Sequence, residues 1–211
     1  MTLPATLILG TGNRKKGQEL SELLCTLPLE LRTLADYPSA IVVDETGDTF
    51  AANAQLKAAE QARHLGEWVL GEDSGLAVDA LGGAPGVYSA RYSGSEATDG
   101  SNNRRLLEQL GDTPLGRRTA YYVCHLSLAD PGGNIRAEAE ARCHGRIRFE
   151  PAGSAGFGYD PLFEIPEYHR TFGELGGQVK AVLSHRSRAV ALLTPKLQKL
   201  LDDGAWSVQD R

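Results

Sequence analysis

The sequence predicts an α/β fold, a mixed β-sheet flanked by helices. Residues 6–9 form a short apolar run, followed by a glycine-containing turn and leucines at helical spacing, which indicates a strand, loop and helix of the parallel type. Residues 119–128 alternate with more mixed neighbours and indicate a strand, and the period of two at residues 135–143 favours a half-exposed antiparallel strand, although their alanines and glutamates also suit a helix. No repeat, low-complexity tract or linker interrupts the 211 residues, so residues 1–211 are predicted to form a single domain.

The first half of the chain alternates predicted strands and helices. Three short apolar runs are predicted strands: residues 6–9, 40–43 and 68–70. The helix after the first run carries leucines on one face: Leu20, Leu23, Leu24 and Leu27. Thr49 is a suitable N-cap for a second helix, which we expect to end near Ala62. The third strand is short and ends at the acidic stretch Gly71 to Gly75, where side chains would point into a cleft.

The second half is predicted to contain two further helices around the alternating strands. A helix is expected from about Asp99 to Leu110. Residues 153–159 are rich in glycine and are read as a loop. The last helix is expected to begin near Ser184 and end near Leu201, with Pro195 as a kink.

Composition and charge restrict the class of protein. Hydrophobic residues make up 41% and charged residues 23%, which is typical of soluble globular domains, and no apolar stretch is long enough to cross a bilayer. The net charge of −5 argues against a long nucleic acid as partner, because such binding requires many cations against phosphates. The three cysteines are widely spaced and lack a CxxC pattern, so neither a disulfide framework nor a zinc site is predicted. A cytoplasmic location fits best.

Residues 11–16, which read Thr-Gly-Asn-Arg-Lys-Lys, are a candidate phosphate-binding loop. Glycine lets backbone amides approach an anion closely, and the N-terminus of the following helix favours negative charge. Lys15 and Lys16 add point charges for phosphate. The alternative is an ordinary turn and N-cap with its lysines in solvent.

Four carboxylates are candidates for metal binding: Asp44, Glu45, Glu72 and Asp73. Magnesium prefers oxygen ligands and needs only one or two carboxylates when substrate phosphates and water complete its shell. A carboxylate placed there can also accept a proton from an attacking water. The alternative for Asp73 is a turn cap in Asp-Ser-Gly.

Two segments near the C-terminal end are candidates for binding a nucleobase. Residues 156–161 place two aromatics beside glycines in a loop, which suits a flat purine, although the usual explanation for such aromatics is core packing under a loop. Lys180 and His185-Arg186 supply donors for an oxo group or phosphate, while a capping role for His185 stays open.

Taken together and in order, these segments carry a resemblance over residues 9–193. The matching residues are Thr11-Gly12-Asn13 with Lys16, Glu45-Thr46-Gly47, Phe50, Asn53-Ala54, Lys57-Ala58, Asp73-Ser74-Gly75-Leu76, the run from Asp79 to Tyr92, Phe157-Gly158-Tyr159-Asp160-Pro161, Lys180 and Ser184-His185-Arg186. The chain resembles the inosine triphosphate pyrophosphatase family, also described as non-canonical purine NTP pyrophosphatases. The run Leu-Gly-Gly-Ala-Pro-Gly at residues 81–86 is its most specific part.

The resemblance implies hydrolysis of ITP, dITP or XTP between the α- and β-phosphates, with magnesium, in a homodimer whose two lobes of mixed α/β fold hold the site in a cleft between them. It implies Asp73 as the proton acceptor, with Lys16 and Lys57 in catalysis, and Asp73, Glu45 and Glu72 at the metal. The implied substrate contacts are Thr11, Gly12, Asn13, Arg14, Lys15 and Lys16 for the phosphates, Phe157, Gly158, Tyr159, Asp160, Lys180, His185 and Arg186 for the base, and Ser74 for the substrate without a stated part.

Two positions depart from the family pattern. Glu72 stands where the family usually has a first aspartate, and Ala52 where it usually has glutamate.

Three other functions are alternatives to the one that the resemblance implies. The residues implied to contact the base disfavour a pyrophosphatase for other bases. The presence of Asp73, Lys16 and Lys57 disfavours an inactive nucleotide-binding regulator. The acidic net charge disfavours a nucleic-acid-binding module.

Overall fold

The computed structural model describes residues 5–206, and its regular elements alternate along the chain. The seven strands are β1 (Ala5–Gly10), β2 (Leu29–Thr33), β3 (Val69–Val78), β4 (Thr119–Ala129), β5 (Ile135–Ile147), β6 (Phe163–Ile165) and β7 (Arg170–Thr171). The five α-helices are α1 (Arg14–Leu24), α2 (Phe50–Leu65), α3 (Asp99–Leu110), α4 (Phe172–Leu183) and α5 (His185–Asp202). No helix in this part of the chain combines the length and apolar character that crossing a membrane requires.

The strands form one sheet in the order β2-β1-β3-β4-β5-β6-β7. Strand β1 pairs in parallel with both β2 and β3, whereas β6 is antiparallel to both β5 and β7. The predicted mixed α/β sheet is therefore confirmed. The parallel pairs come from the strand–helix repeats at the start of the chain, since a parallel pair needs a long crossover that a helix supplies.

The chain divides into two compact units. Among the described residues, the first unit comprises residues 5–73, 125–141 and 189–206, and the second comprises residues 74–124 and 142–188. The first is packed around Ile8, Val69 and the alanines of α2, and the second around a larger set that includes Leu76, Leu106 and Phe163.

The strand predicted at residues 40–43 is wrong, and a strand at Leu29–Thr33 was missed. Residues 40–47 have no regular structure, and Val42 is 95% exposed. An apolar run becomes a strand only if a neighbouring strand takes up its backbone hydrogen bonds, and none of the seven described strands pairs with residues 40–47. The parallel partner β2 reads Leu-Glu-Leu-Arg-Thr, whose alternation is typical of a strand, but it is only five residues long and follows closely on the leucines of the first predicted helix.

The acidic stretch Gly71 to Gly75 lies inside β3, which corrects the prediction of a short strand that ends before it. Nine of the ten residues of β3 are buried, Glu72 and Asp73 among them. Gly71 allows this arrangement, because α2 crosses directly over it. A Cβ atom at residue 71 would lie 2.6 Å from the backbone nitrogen of Ala58 and would also overlap the carbonyl oxygen of Ala54. The glycine therefore brings α2 close to the two buried carboxylates of the strand.

Gly71→Ala is expected to lower the free energy of unfolding by about 3 kcal/mol, the upper end of the usual cost of overpacking. The new methyl group meets helix backbone rather than the movable end of a side chain. Denaturant titration followed by far-UV circular dichroism measures the loss. Gly116→Ala is the control, since a Cβ there meets nothing within 4 Å. If both variants unfold at the wild-type midpoint, the close packing of α2 on β3 is refuted.

The remaining predicted elements are mostly confirmed. Thr49 caps α2 through a 3.1 Å bond from the Ala52 amide to its hydroxyl, and α3, β4, β5 and α5 begin or end within a few residues of the prediction. Leu27 lies beyond the end of α1 at Leu24. Helix α4 was missed because it contains three glycines, which are poor helix formers, and its backbone at Gly176 departs from helical geometry with φ of 77°.

Candidate active site

In the first unit, two carboxylates and an ammonium group come together. The Lys57 Nζ lies 2.9 Å from Asp73 Oδ1 and 3.2 Å from Glu45 Oε1. Lys57 comes from α2, Asp73 from β3 and Glu45 from the irregular segment between β2 and α2. We call these three residues the carboxylate–lysine cluster. Sequence analysis had proposed all three for the same site, and the structure brings them together.

Side chains on one face of α2 hold residues 39–47, the segment that carries Glu45, against the helix. Four side chains at helical spacing along this face bond to residues 39–47: Asn53 to the Gly47 amide at 2.8 Å, Lys57 to Glu45, Gln61 to the Ile41 amide at 3.3 Å, and His64 to the Ser39 carbonyl at 2.6 Å. Residues three or four apart share a helix face, which explains how one helix reaches along an irregular segment. Glu45 is thereby held in place without belonging to a strand or helix.

Asn53 has a second role that sequence analysis did not assign. Its side-chain Nδ2 donates to Asp73 Oδ2 at 3.4 Å, while its Oδ1 accepts the Gly47 amide. A single buried amide thus connects Asp73 to the segment that carries Glu45. Its position one turn before Lys57 on the same helix face was the signal available in the sequence.

Burial and neighbouring charges shift the pKa values of the cluster. Burial raises the pKa of the Asp73 carboxyl above its ordinary value, although Lys57 and Lys16 pull it in the opposite direction. Burial lowers the pKa of Lys57, but attraction to Asp73, Glu72 and Glu45 more than offsets this, and the net shift is upward. The lysine therefore stays protonated, and Asp73 is a stronger base than an exposed aspartate.

Glu72 faces a different cation. Its side chain is fully buried, and its Oε2 lies 3.1 Å from Lys16 Nζ. Lys16 is the third residue of α1, at the end of the predicted phosphate loop. The structure therefore connects Glu72 to that loop through an ion pair, whereas Glu45 and Asp73 meet at Lys57.

The loop at residues 11–16 has the local geometry of a helix N-terminus. The side chain of Asn13 caps α1 by accepting the amides of Lys15 and Lys16 at 3.0 and 3.2 Å, and Thr11 Oγ1 accepts the Asn13 amide at 3.3 Å. Gly12 and Arg14 are exposed beside this cap. The alternative prediction for this loop, a turn and N-cap, is therefore confirmed. The same geometry leaves the positive N-terminal end of α1 available to an anion, so the two interpretations are compatible.

In the second unit, Asp160 is the centre of a buried cluster. Its Oδ2 accepts Lys180 Nζ at 2.7 Å and the Phe157 amide at 2.9 Å, and its Oδ1 accepts the Tyr122 hydroxyl at 3.3 Å. The ammonium group of Lys180 lies 4.1 Å from the centre of the Phe157 ring. Asp160 and Lys180 are 1% and 4% exposed, so this is a buried ion pair. We call Tyr122, Phe157, Asp160 and Lys180, together with His185, whose ring stacks on Tyr122, the Asp160 cluster.

The loop at residues 156–160 is shaped by glycine and held from outside. Gly156 has a φ of 79°, and a Cβ there would lie 2.9 Å from Asp160 Cγ, so glycine is required for the loop to close on the carboxylate. Asn103 of α3 donates to the Gly158 carbonyl at 2.9 Å. The buried Tyr159 donates its hydroxyl to the Ser89 carbonyl at 2.8 Å, so its ring packs in the core, as the alternative reading held.

His185 and Arg186 open α5 directly after α4. Ser184 separates the two helices and accepts the Ser187 amide on its hydroxyl at 3.1 Å, which caps α5. The imidazole of His185 stacks on the Tyr122 ring with 4.7 Å between centroids and 12° between planes. Arg186 Nη2 donates to Ser74 Oγ at 3.0 Å. The structure thus brings Lys180 and His185 to the Asp160 cluster and pairs Arg186 with Ser74.

Comparison with known proteins identifies the family. The model of the Ham1 family matches residues 7–196, which is most of the chain. The chain belongs to the Ham1 family. The resemblance stated from the sequence is thereby confirmed. The chain is 56% identical to the dITP/XTP pyrophosphatase of Rhodopirellula baltica over 201 residues, covering 95% of this chain and 97% of the relative. It is 47% identical to the dITP/XTP pyrophosphatase of Exiguobacterium sibiricum, covering 93% and 99%.

Solved structures of Ham1 family proteins share the fold. The HAM1 protein of Coxiella burnetii matches with a TM-score of 0.83 and 36% identity, over 92% of this chain and 99% of that one. The dITP/XTP pyrophosphatase of Mycobacterium abscessus matches with a TM-score of 0.74 and 44% identity, over 90% and 99%. The sheet and helices described above are therefore those of the Ham1 family.

Proposed function

We propose that this protein is a magnesium-dependent pyrophosphatase of non-canonical purine nucleoside triphosphates. It would hydrolyse ITP, dITP or XTP between the α- and β-phosphates to the monophosphate and pyrophosphate, and so remove these nucleotides from the pool. Membership of the Ham1 family and relatives named dITP/XTP pyrophosphatase support the reaction. The observation that carries it is the carboxylate–lysine cluster, in which Asp73 and Glu45 meet at Lys57.

Asp73 is the proposed proton acceptor for the attacking water. A general base works best when its pKa approaches the working pH, and burial raises the pKa of Asp73 in that direction. Asn53 and Lys57 fix the two oxygens of its carboxylate, which limits the positions from which a water can approach. Lys57 also supplies a positive charge beside the carboxylate, where the phosphate charge of a nucleotide would be stabilised.

The donor set fits magnesium. Within residues 5–206, no three His, Cys, Asp or Glu side chains lie close enough to hold a metal by themselves. Magnesium commonly binds through one or two carboxylates together with substrate phosphates and water. Glu45 and Asp73 meet this requirement. Their carboxylates lie 3.2 and 2.9 Å from the same Lys57 Nζ and are therefore close to each other. A bound magnesium ion would neutralise phosphate charge and polarise the phosphorus–oxygen bond.

Glu72 and Lys16 are proposed to act as a pair at the phosphate side. The family resemblance implies Glu72 at the metal, whereas its ion pair with Lys16 supports a role through that lysine. Lys16 adjoins the α1 N-terminus, where Thr11, Gly12, Asn13, Arg14 and Lys15 are proposed to receive phosphates. The ion pair with this buried carboxylate restricts the positions that the Lys16 ammonium group can reach.

The second unit is proposed to bind the base. Phe157, Gly158, Tyr159, Asp160, Lys180, His185 and Arg186 are the proposed contacts, with Ser74 beside them. Donors arranged for the 6-oxo group of hypoxanthine or xanthine would be left unpaired by the 6-amino group of adenine, and buried donors without partners are costly. We also propose that both units act together as one domain, and that the protein works as a cytoplasmic homodimer.

The test is a product analysis with magnesium and each of dITP, XTP, dATP and dGTP. We expect monophosphate and pyrophosphate as products and at least a tenfold higher kcat/KM for dITP or XTP than for dATP, since one misplaced hydrogen-bonding group costs about 1–3 kcal/mol. Ion-exchange chromatography with a phosphate assay separates the outcomes. Release of orthophosphate and diphosphate would refute the cleavage site, and equal rates on dATP would refute the specificity.

A further inference from the structure

Tyr122 on β4 contacts two residues of the proposed base site. Its ring lies parallel to the His185 imidazole, with 4.7 Å between centroids and 12° between planes. Its hydroxyl donates to Asp160 Oδ1 at 3.3 Å. The sequence predicts Tyr122 only as a strand residue. A buried side chain that contacts both groups is placed to control how they meet a base.

The two contacts of Tyr122 differ in strength. Hydrogen bonds between hydroxyl and oxygen usually measure about 2.7–2.8 Å, so the 3.3 Å bond to Asp160 is a weak one. Asp160 is held more firmly on its other oxygen, by Lys180 at 2.7 Å and by the Phe157 amide at 2.9 Å. The hydroxyl of Tyr122 therefore adds little to the placement of Asp160.

The aromatic contact is the stronger constraint. The Tyr122 ring covers one face of the imidazole and is itself backed by other rings, with Phe163 at 4.6 Å and Phe172 at 6.4 Å between centroids. Phe163 and Phe172 in turn stack on each other at 5.6 Å. A ring packed in this way has little rotational freedom, so the plane of the His185 imidazole is set by the core of the second unit.

We propose that Tyr122 is a positioning residue for base discrimination, which acts by fixing the plane of the His185 ring. The inference rests on the proposed function, because it assumes that His185 contacts the purine. A ring nitrogen interacts with an oxo or amino group only when the imidazole plane points at it, so a tilted imidazole loses the distinction between the two groups. The phosphate chemistry at Asp73 depends on other residues and is expected to continue.

The experiment compares Tyr122→Phe, which keeps the ring, with Tyr122→Leu, which removes it. For each full-length variant, kcat and KM are measured with dITP and dATP in the presence of magnesium. Tyr122→Phe is expected to keep the dITP/dATP ratio of kcat/KM within about threefold of wild type. Tyr122→Leu is expected to lower that ratio about tenfold, mainly through a higher KM for dITP, in line with the loss of an aromatic pair.

Phe172→Leu is the matched control. It removes another buried ring from the same aromatic group, and that ring stacks on Phe163. It is expected to lower the melting temperature by an amount similar to Tyr122→Leu and to change the dITP/dATP ratio by less than about threefold, because the Tyr122 ring still covers the His185 imidazole. If Tyr122→Leu does not fold, Tyr122→Met replaces it, because the flexible methionine side chain fills the space without an aromatic face.

The outcomes separate this inference from the proposed function. A wild-type enzyme without preference for dITP over dATP refutes the proposed specificity itself. A wild-type preference that survives in Tyr122→Leu, or is lost equally in Phe172→Leu, overturns the role of Tyr122. If Tyr122→Phe loses as much discrimination as Tyr122→Leu, the hydroxyl contact with Asp160 carries the effect, and the assignment to the ring is overturned.

Discussion

Asp73→Asn is expected to lower kcat by about 10²- to 10⁴-fold, the usual contribution of a general base. The amide cannot accept a proton from water at neutral pH, while its shape and size match the carboxylate. The bonds to Lys57 and Asn53 involve both oxygens of Asp73, so one of them faces an NH₂ group in the variant. Single-turnover measurements of pyrophosphate release from dITP report the loss directly.

Nucleotide binding provides the contrast for this prediction. Titration calorimetry with dITP is expected to give a dissociation constant for Asp73→Asn within about tenfold of wild type, because the loop at residues 11–16 and the Asp160 cluster are unchanged. Asp48→Asn, an exposed aspartate of the same unit, is expected to behave as wild type in both assays. Near-normal turnover by Asp73→Asn would require a different proton acceptor and would refute the assignment.

Asp160→Asn is expected to lower the free energy of unfolding by about 3–5 kcal/mol, the usual cost of removing one partner of a buried ion pair. Lys180 lies 2.7 Å from the carboxylate and is almost fully buried, so its charge would lose its compensating partner inside the protein. The neutral amide also weakens the bond that the Phe157 amide makes to residue 160. Guanidinium titration followed by tryptophan fluorescence and far-UV circular dichroism measures the change.

Two controls identify the buried charge as the cause. The double variant Asp160→Asn with Lys180→Met removes both charges and is expected to recover at least half of the lost stability, since a neutral pair leaves no isolated ion. Glu30→Gln breaks an ion pair with Arg32 in which both side chains are more than 40% exposed, and it is expected to cost less than about 1 kcal/mol. A loss of under about 1 kcal/mol in Asp160→Asn would contradict a buried ion pair.

Helices and strands whose own residues show a cap or a periodic pattern were predicted correctly from the sequence. Thr49 was predicted as an N-cap and the last helix was predicted to begin near Ser184, and both helices begin as predicted. The segments of β4 and β5 are both strands as predicted; the alternation in β5 reflects two faces of a sheet, whereas β4 is buried on both faces from Tyr122 to Ala129. The apolar run at residues 40–43 was misread, because whether a run becomes a strand depends on a partner strand that no local window contains.

The residues of the candidate site also fall into two groups, those predicted from the sequence and those found only in the structure. Asp73, Lys57, Lys16 and Lys180 were identified from residue type, spacing and family resemblance. Asn53, Gln61, Asn103 and Tyr122 were missed as supporting residues, because an amide on a helix or an aromatic in a strand has many possible partners. Only their contacts with Asp73, Ile41, Gly158 and His185 give them a role.

The sequence by itself determined the fold class, the family and the chemical types at the site, since hydrophobic periodicity, caps and motif order are local properties of the chain. The tertiary structure decided which charges meet. Glu72 and Asp73 are neighbours in one strand, yet Glu72 pairs with Lys16 and Asp73 with Lys57. The energy of an ion pair depends on distance and burial, and both are set by residues far apart in the chain.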